Sequence, residues 1–301
     1  MPKSKIANLL SQLETVLIGK PDQIQLAVAC ILAKGHLLIE DLPGMGKTSL
    51  SHGLATCLGM SFQRIQFTSD MLPADILGVS IFDQQQQAFT FHKGPVFNQM
   101  LVADEINRAS PKTQSALLEA MAERQITLDG NTYALPAPFF VIATQNPVDQ
   151  SGTFPLPESQ LDRFMMRISI GYPNETAELA MLKGQSNPSA VLSQCLSPDE
   201  LIELQQLVPQ VSASDAVLKY LLALVNYSRE QQVGTGLSPR ASIALLQASK
   251  AWALMNHRQY LVPEDIQAVF TAVAEHRIQS ASALQGRSIS ESILTNVNPI
   301  R

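Results

Sequence analysis

The 301-residue chain has little of what membranes and oxidising compartments demand. Its longest unbroken apolar run, Leu26–Ala33, is eight residues long, and a membrane-spanning helix needs roughly 18 or more. Glu14 and Asp22 precede that run, so the basic-then-apolar order of a secretory leader is missing. Cysteine occurs three times, at Cys30, Cys57 and Cys195. An odd number at wide spacing excludes a disulfide framework and a zinc knuckle, and reads as reduced thiols in a cytoplasmic protein. Positive charge is also in short supply: 21 Lys+Arg against 26 Asp+Glu leave a net charge of −5. That balance, with a single Trp252 and no appended helix-turn-helix, argues against a nucleic-acid partner. The five histidines (His36, His52, His92, His257, His276) form no i, i+4 pair and read as packing or surface residues. No G-x-S-x-G turn offers a serine nucleophile.

The chain does have apolar patterning. A hydrophobic content of 46% is that of a globular protein, and the length suits about two domains. Short apolar runs bounded by turn residues predict strands at His36–Ile39, Ser61–Gln66, Asn98–Ala103, Phe139–Thr144 and Met165–Ile170. Helical stretches such as Lys47–Leu58 and Lys112–Ala122 lie between them, and that alternation implies a parallel sheet covered on both faces. Gly184–Pro198 loses periodicity and reads as a linker. After it come only helical patterns, Pro198–Leu207, Ser214–Arg229, Pro239–Asn256 and Pro263–Arg277, three of them opening on proline. Two hairpins stand apart from this order. Val79–Phe82 returns as Ala88–His92, and Gln125–Leu128 returns as Thr132–Leu135 across Asp129-Gly130-Asn131. Each is too short to stand alone, so it either packs on the body or projects toward a partner.

The first chemical signal is Gly44-Met45-Gly46-Lys47-Thr48, between an apolar strand and a helix. In that context the glycines let successive backbone N–H groups turn inward, and the helix N-terminus adds positive partial charge. Lys47 would reach the β- and γ-phosphates and the Thr48 hydroxyl would ligate Mg²⁺, with Pro43 and Ser49 flanking them. The competing reading is a glycine turn with a solvated lysine. The usual pattern opens with glycine at position 41, where this chain has Asp41, a liability beside phosphates unless it points away. The second signal is Met100-Leu101-Val102-Ala103-Asp104-Glu105, a buried strand ending in two carboxylates. Ligands of parallel α/β sheets bind at the strands' carboxyl ends. Asp104 would therefore lie near the Mg²⁺ held by Thr48, and Glu105 could activate a water. A solvated strand end is the alternative.

Taken together these residues resemble a known family. Gly44–Thr48 looks like a Walker A motif and Leu101–Glu105 like a Walker B motif. Asp104-Glu105-Ile106-Asn107-Arg108-Ala109, Ala143-Thr144-Gln145-Asn146-Pro147, the stretch Pro155–Phe164 and Gly236-Leu237-Ser238-Pro239-Arg240 follow in the order of the MoxR family of AAA+ ATPases. The resemblance implies an α/β P-loop domain with a parallel sheet over residues 1–183, a linker over 184–198 and a smaller all-helical lid over 199–301. It implies ATP and Mg²⁺ as cofactors. It makes Asn146 sensor 1, Arg163 an arginine finger acting on the neighbouring subunit, and Arg240 sensor 2. Ile18-Gly19 would line the adenine pocket. The assembly implied is a ring, a hexamer, that remodels a client, with a von Willebrand factor A domain protein as partner. The hairpins, at Asp75–Pro95 and Gln125–Leu135, would face the pore or a partner.

Each role has a plainer counterpart. Asn146 could simply shape the turn before Pro147. Arg163 could pair with Asp162 or Glu158 on the surface. Arg108 could contact phosphate or the adjacent subunit, or pair with Glu105 or Glu119. Arg240 has support of its own, because Ser238 as N-cap and Pro239 at the first position put a cation in a first helical turn, where it opposes the helix dipole. A nucleic-acid-dependent ring motor and a nucleotide-gated scaffold with little turnover are the alternative functions.

Overall fold

The computed structural model describes residues 2–85, 87–147, 152–183, 192–230, 236–278 and 288–299. Its strands are β1 (Leu37–Glu40), β2 (Phe62–Gln66), β3 (Gly78–Asp83), β4 (Ala88–Lys93), β5 (Met100–Asp104), β6 (Gln125–Leu128), β7 (Asn131–Ala134), β8 (Phe140–Gln145) and β9 (Met166–Ile168). The runs with least polar interruption, in β1, β5 and β8, are the most buried, as strands covered on both faces must be. They form the centre of a parallel sheet ordered β2-β5-β8-β1-β9. β2, at one edge, alternates instead, with Ile65 buried and Arg64 and Gln66 exposed. Register brings Gln66 opposite Asp104, and Glu40 opposite Gln145, so the polar strand ends gather at one edge of the sheet.

Helices cover both faces. Lys47–Cys57 follows β1, and Pro111–Glu123 follows β5, opening on Pro111 with the Ser110 hydroxyl accepting from the Thr113 N–H. Two N-terminal helices, Pro2–Val16 and Pro21–Leu32, complete one face; the first buries Ile6, Leu9 and Leu13 at helical spacing, a period present in the sequence and not assigned above. The C-terminal helices Pro198–Leu207, Asp215–Glu230, Pro239–Met255, Pro263–Ala274 and Ile289–Asn296 follow. Their apolar faces join the same buried cluster as the N-terminal helices. Gln205 ties the two regions, its Nε2 donating to the Ile31 carbonyl at 2.8 Å. Of the linker expected at 184–198, residues 184–191 lie outside the described residues. No helix among the described residues is long and apolar enough to cross a membrane.

Several element ends differ from expectation by a residue or more, and three of them have a local reason. The strand expected to reach Ile170 stops at Ile168, because the Ile170 and Gly171 N–H groups bond the Asp41 carboxylate instead of a neighbouring strand. The last long helix stops at Ala274, not Arg277; residues 275–277 turn back so that His276 and Arg277 reach the carbonyls before β9. The second hairpin turns on Asp129 and Gly130 alone, both at positive φ (50° and 78°), and Asn131 begins β7. That is the two-residue geometry whose twist suits a hairpin.

The hairpins touch each other: Phe91 of β4 stacks on Tyr133 of β7 with ring centroids 4.3 Å apart. The β3–β4 tip, with Phe82 and Phe89, stays exposed. His36 is a packed core residue. Its Nδ1 accepts from the Val141 N–H at 3.0 Å, its Nε2 lies 3.3 Å from the Met121 carbonyl, and burial lowers its pKa to about 4. At the base of the β3–β4 hairpin, Gly94 lies so close to Ile76 and Leu77 that an added Cβ would collide with their backbone. Gly94→Ala is expected to cost about 1–3 kcal/mol of stability, the usual penalty of overpacking. Urea denaturation checks this, and an unchanged midpoint would mean that the hairpin base gives way freely.

Candidate functional site

The carboxyl ends of β1, β2, β5 and β8 border a cleft of about 350 Å³. Pro43, Gly44, Gly46, Lys47, Thr48 and Ser49 line one side, and Asp104, Glu105, Thr144 and Asn146 the other. A volume of this order is typical of small-molecule sites, which run from about 300 to 1,000 Å³. Gly46 adopts the left-handed conformation (φ 87°), and the helix that follows has no side-chain cap. Its first N–H groups are thus left for a ligand, and anions are what helix N-termini attract. Met45 turns away and packs against the core.

Lys47 donates from Nζ to the Asp41 carbonyl at 2.7 Å. Partial burial pulls its pKa below the usual lysine value, while Asp41, Asp104 and Glu105 pull the other way. The Asp41 carboxylate points away from the loop. It is buried and accepts from the N–H groups of Ile170 (2.5 Å) and Gly171 (2.8 Å). The acidic residue that interrupts the glycine pattern therefore braces the end of β9.

Across the cleft the carboxylates are held by neighbours. Asp104 is buried; its Oδ1 accepts from the Thr144 hydroxyl at 3.0 Å, and its Oδ2 pairs with Arg64 Nε at 2.5 Å. Glu105 has a left-handed backbone (φ 54°, ψ 48°), strained for a residue of this kind and a recurrent feature of functional sites. Its N–H donates to Thr144 Oγ1 at 3.0 Å. Gln66 Nε2 (2.7 Å) and Arg108 Nε (2.8 Å) converge on its Oε2. So Arg108 pairs with Glu105, one of the alternatives left open by the sequence. Arg64, Gln66 and Thr144 were not singled out from the sequence. Their signal was positional: β2 and β8 both pair with β5, so polar residues near their ends share the acidic strand's end.

The donor set suits a hard divalent cation. The Thr48 hydroxyl and the Asp104 carboxylate offer oxygen alone, and among the described residues no cluster of three or more His, Cys, Asp or Glu could hold a metal. Mg²⁺ is held by few protein oxygens, with water and phosphate completing its shell.

The remaining candidates lie off the cleft. Arg163 is half-buried, its Nη1 donating to the Leu118 carbonyl at 3.3 Å. Asp162, one of the two surface partners that the plainer reading offered, is bound to Arg277 instead. Arg240 is exposed in the first turn of Pro239–Met255, with Ser238 capping at 3.1 Å and Pro239 opening the helix as expected. Gly19 lies against Ala177, and Leu17 reaches the glycine loop at Gly46, so the Ile18-Gly19 segment borders that loop.

Comparison with known proteins decides the family. Residues 36–166 match the model of the ATPase family associated with various cellular activities, and residues 227–297 match the AAA lid domain. Chaperone MoxR1 of Mycobacterium tuberculosis is 37% identical over 95% of this chain and 78% of its own length. The chain belongs to the MoxR family of AAA+ ATPases. YeaC of Bacillus subtilis is 45% identical over 91% of this chain and 86% of its own. The crystal structure of a protein assigned as an ATPase from Cytophaga hutchinsonii superposes with a TM-score of 0.89 at 38% identity, covering 98% of this chain and 95% of that one. Membership of the AAA+ class carries nucleotide binding and ATPase activity as general properties of the fold.

The orientation of Asp41 is open to test. Asp41→Ala leaves the Ile170 and Gly171 N–H groups without their acceptor, and a loss of about 1–3 kcal/mol is expected, with Asp41→Asn losing less. Chemical denaturation measures both; unchanged stability in Asp41→Ala would mean that the carboxylate is not the brace described.

Proposed function

We propose that this MoxR-type chain hydrolyses ATP in a Mg²⁺-dependent manner within a ring, a hexamer, and uses turnover to remodel a client protein. The observation that carries the reading is the convergence of Lys47, Thr48, Asp104, Glu105 and Asn146 on one cleft. Lys47 and the uncapped N–H groups after Gly46 bind the β- and γ-phosphates. Thr48 and Asp104 hold Mg²⁺, which when bound neutralises charge on the transferring phosphoryl group. Glu105 takes the proton of the attacking water, and Asn146 holds that water in line. Ile18 and Gly19 border the base, and Arg240 contacts phosphate from the C-terminal helices.

Arg163 lies away from its own cleft, which suits action on a neighbour. A guanidinium there adds fixed positive charge where the transition state becomes more negative. A protein with a von Willebrand factor A domain is the partner we propose from the family resemblance. Free cysteines suit a reducing compartment, and the reading includes the cytoplasm.

Two variants test it together. Glu105→Gln is expected to bind ATP and lose at least about 100-fold in turnover, the scale of a missing general base. Arg163→Ala is expected to bind ATP normally and lose turnover on the scale of an absent arginine finger, about 10³-fold or more. Mixed before assembly, the two should recover part of the activity, since each supplies what the other lacks. Wild-type turnover in Glu105→Gln would remove Glu105 as the base. No recovery at any mixing ratio would remove action in trans.

A further inference from the structure

The most completely bonded side chain at the junction with the C-terminal helices is one that the proposed chemistry does not use. Arg277 follows the helix Pro263–Ala274 and is 5% exposed. A guanidinium has five N–H donors, and here all five have acceptors. Nε donates to Asp162 Oδ1 (2.7 Å), Nη2 to the carbonyls of Asp162 (3.2 Å) and Phe164 (2.7 Å), and Nη1 to the carbonyls of Met165 (3.0 Å) and Val273. Four of the five acceptors therefore belong to Asp162, Phe164 and Met165, the residues on either side of Arg163. His276, one residue earlier, adds a bond from its ring to the Phe164 carbonyl at 3.1 Å. Among the described residues, the Arg163 side chain makes one long bond, to the Leu118 carbonyl at 3.3 Å. The residues flanking it are clamped, and its own side chain is loosely held.

The clamp belongs to the helices that also carry Arg240. Pro263–Ala274 packs along Pro239–Met255 through a shared apolar core, and Arg240 is near enough for its charge to oppose that of Arg277. Desolvation is the largest influence lowering the Arg277 pKa, and Asp162 offsets it, so the buried charge depends on that partner.

We infer that Arg277 is a positioning residue that ties the segment carrying Arg163 to the C-terminal helices, so that the finger offered to the neighbouring subunit depends on how those helices are seated. The inference rests on the reading of Arg163 as a finger in trans.

Subunit mixing separates this role from a merely structural one. Arg277→Lys keeps the charge but has three donors instead of five. Alone, it is expected to bind ATP within about two-fold of wild type and lose at least ten-fold in turnover. Mixed with Glu105→Gln, which still offers a sound Arg163, turnover should recover, because the Arg277→Lys subunits keep a working cleft. Mixed with Arg163→Ala, it should not recover, because neither subunit then offers a finger. The reverse pattern would show that Arg277 serves its own cleft and would overturn the inference, as would turnover unchanged from wild type. Loss in both mixtures together with weakened ATP binding would reduce Arg277 to a structural residue and overturn it equally. Asp162→Ala removes the Nε acceptor of the same clamp from the more exposed side, and should give the same donor-only defect even if Arg277→Lys fails to fold. The Glu105→Gln and Arg163→Ala mixture is the control; if that pair fails to recover, it is the ring reading that falls.

Discussion

The site depends on β8 lying between β1 and β5. Neighbouring parallel strands are about 4.8 Å apart, so the ends of β1 and β5 are separated by roughly twice that. Thr48, in the helix after β1, and Asp104, at the end of β5, line the same cleft from strands that are not neighbours in the sheet. β8 fills the floor of that cleft with Thr144 and then Asn146. Thr144 does more than line it. Its hydroxyl donates to Asp104 and accepts from the Glu105 N–H, so one side chain orients both acidic residues. A slip of one residue in the β5–β8 pairing would turn Thr144 to the opposite face and release both.

The cleft keeps its charges in pairs. Arg64 is on Asp104, Arg108 and Gln66 are on Glu105, and Lys47 is on a backbone carbonyl. A buried carboxylate without partners would cost several kcal/mol, so such pairing is the condition for Asp104 to be there at all. Lys47 is the exception. Its partner is a neutral carbonyl, and an anionic phosphate would add the attraction of an opposite charge that the carbonyl does not supply. On the proposed reading, polyphosphate binding draws on Lys47 and leaves the carboxylate pairs in place.

Much of this was legible in the sequence, and the parts that were not have a common cause. The parallel α/β class followed from apolar runs such as Phe139–Thr144, and the loop between β1 and the next helix from its glycines. Both are local patterns. The Pro239 helix start followed from Ser238 and Pro239 for the same reason. Arg64 and Gln66 were hidden because their importance comes from the strand that pairs with β2, and pairing order is not local. Arg277 was hidden more deeply: it read as one more residue of a helix, and its five acceptors come from residues more than a hundred positions earlier in the chain as well as from the preceding turn. The early end of β9 is the converse case. Asp41 was visible as an anomaly in the loop pattern, but only the fold shows which two N–H groups its carboxylate satisfies.

The two arginines that lie off the cleft differ in how the fold holds them, and the difference matters for the proposed cycle. Arg240 is exposed in a first helical turn, where a cation faces the positive end of the helix dipole at a cost of about 0.3–1 kcal/mol. A nearby phosphate would remove that cost, which gives the C-terminal helices an electrostatic reason to follow the nucleotide. Arg163 has no such freedom of approach, because the residues around it are fixed by Arg277 and His276. On the proposed reading, one cation responds to ligand while the other is carried by the elements that respond. In a ring built from such subunits, the state of one cleft would reach the next through this link, and its stiffness, with every guanidinium donor of Arg277 satisfied, would carry a small displacement of the helices to Arg163.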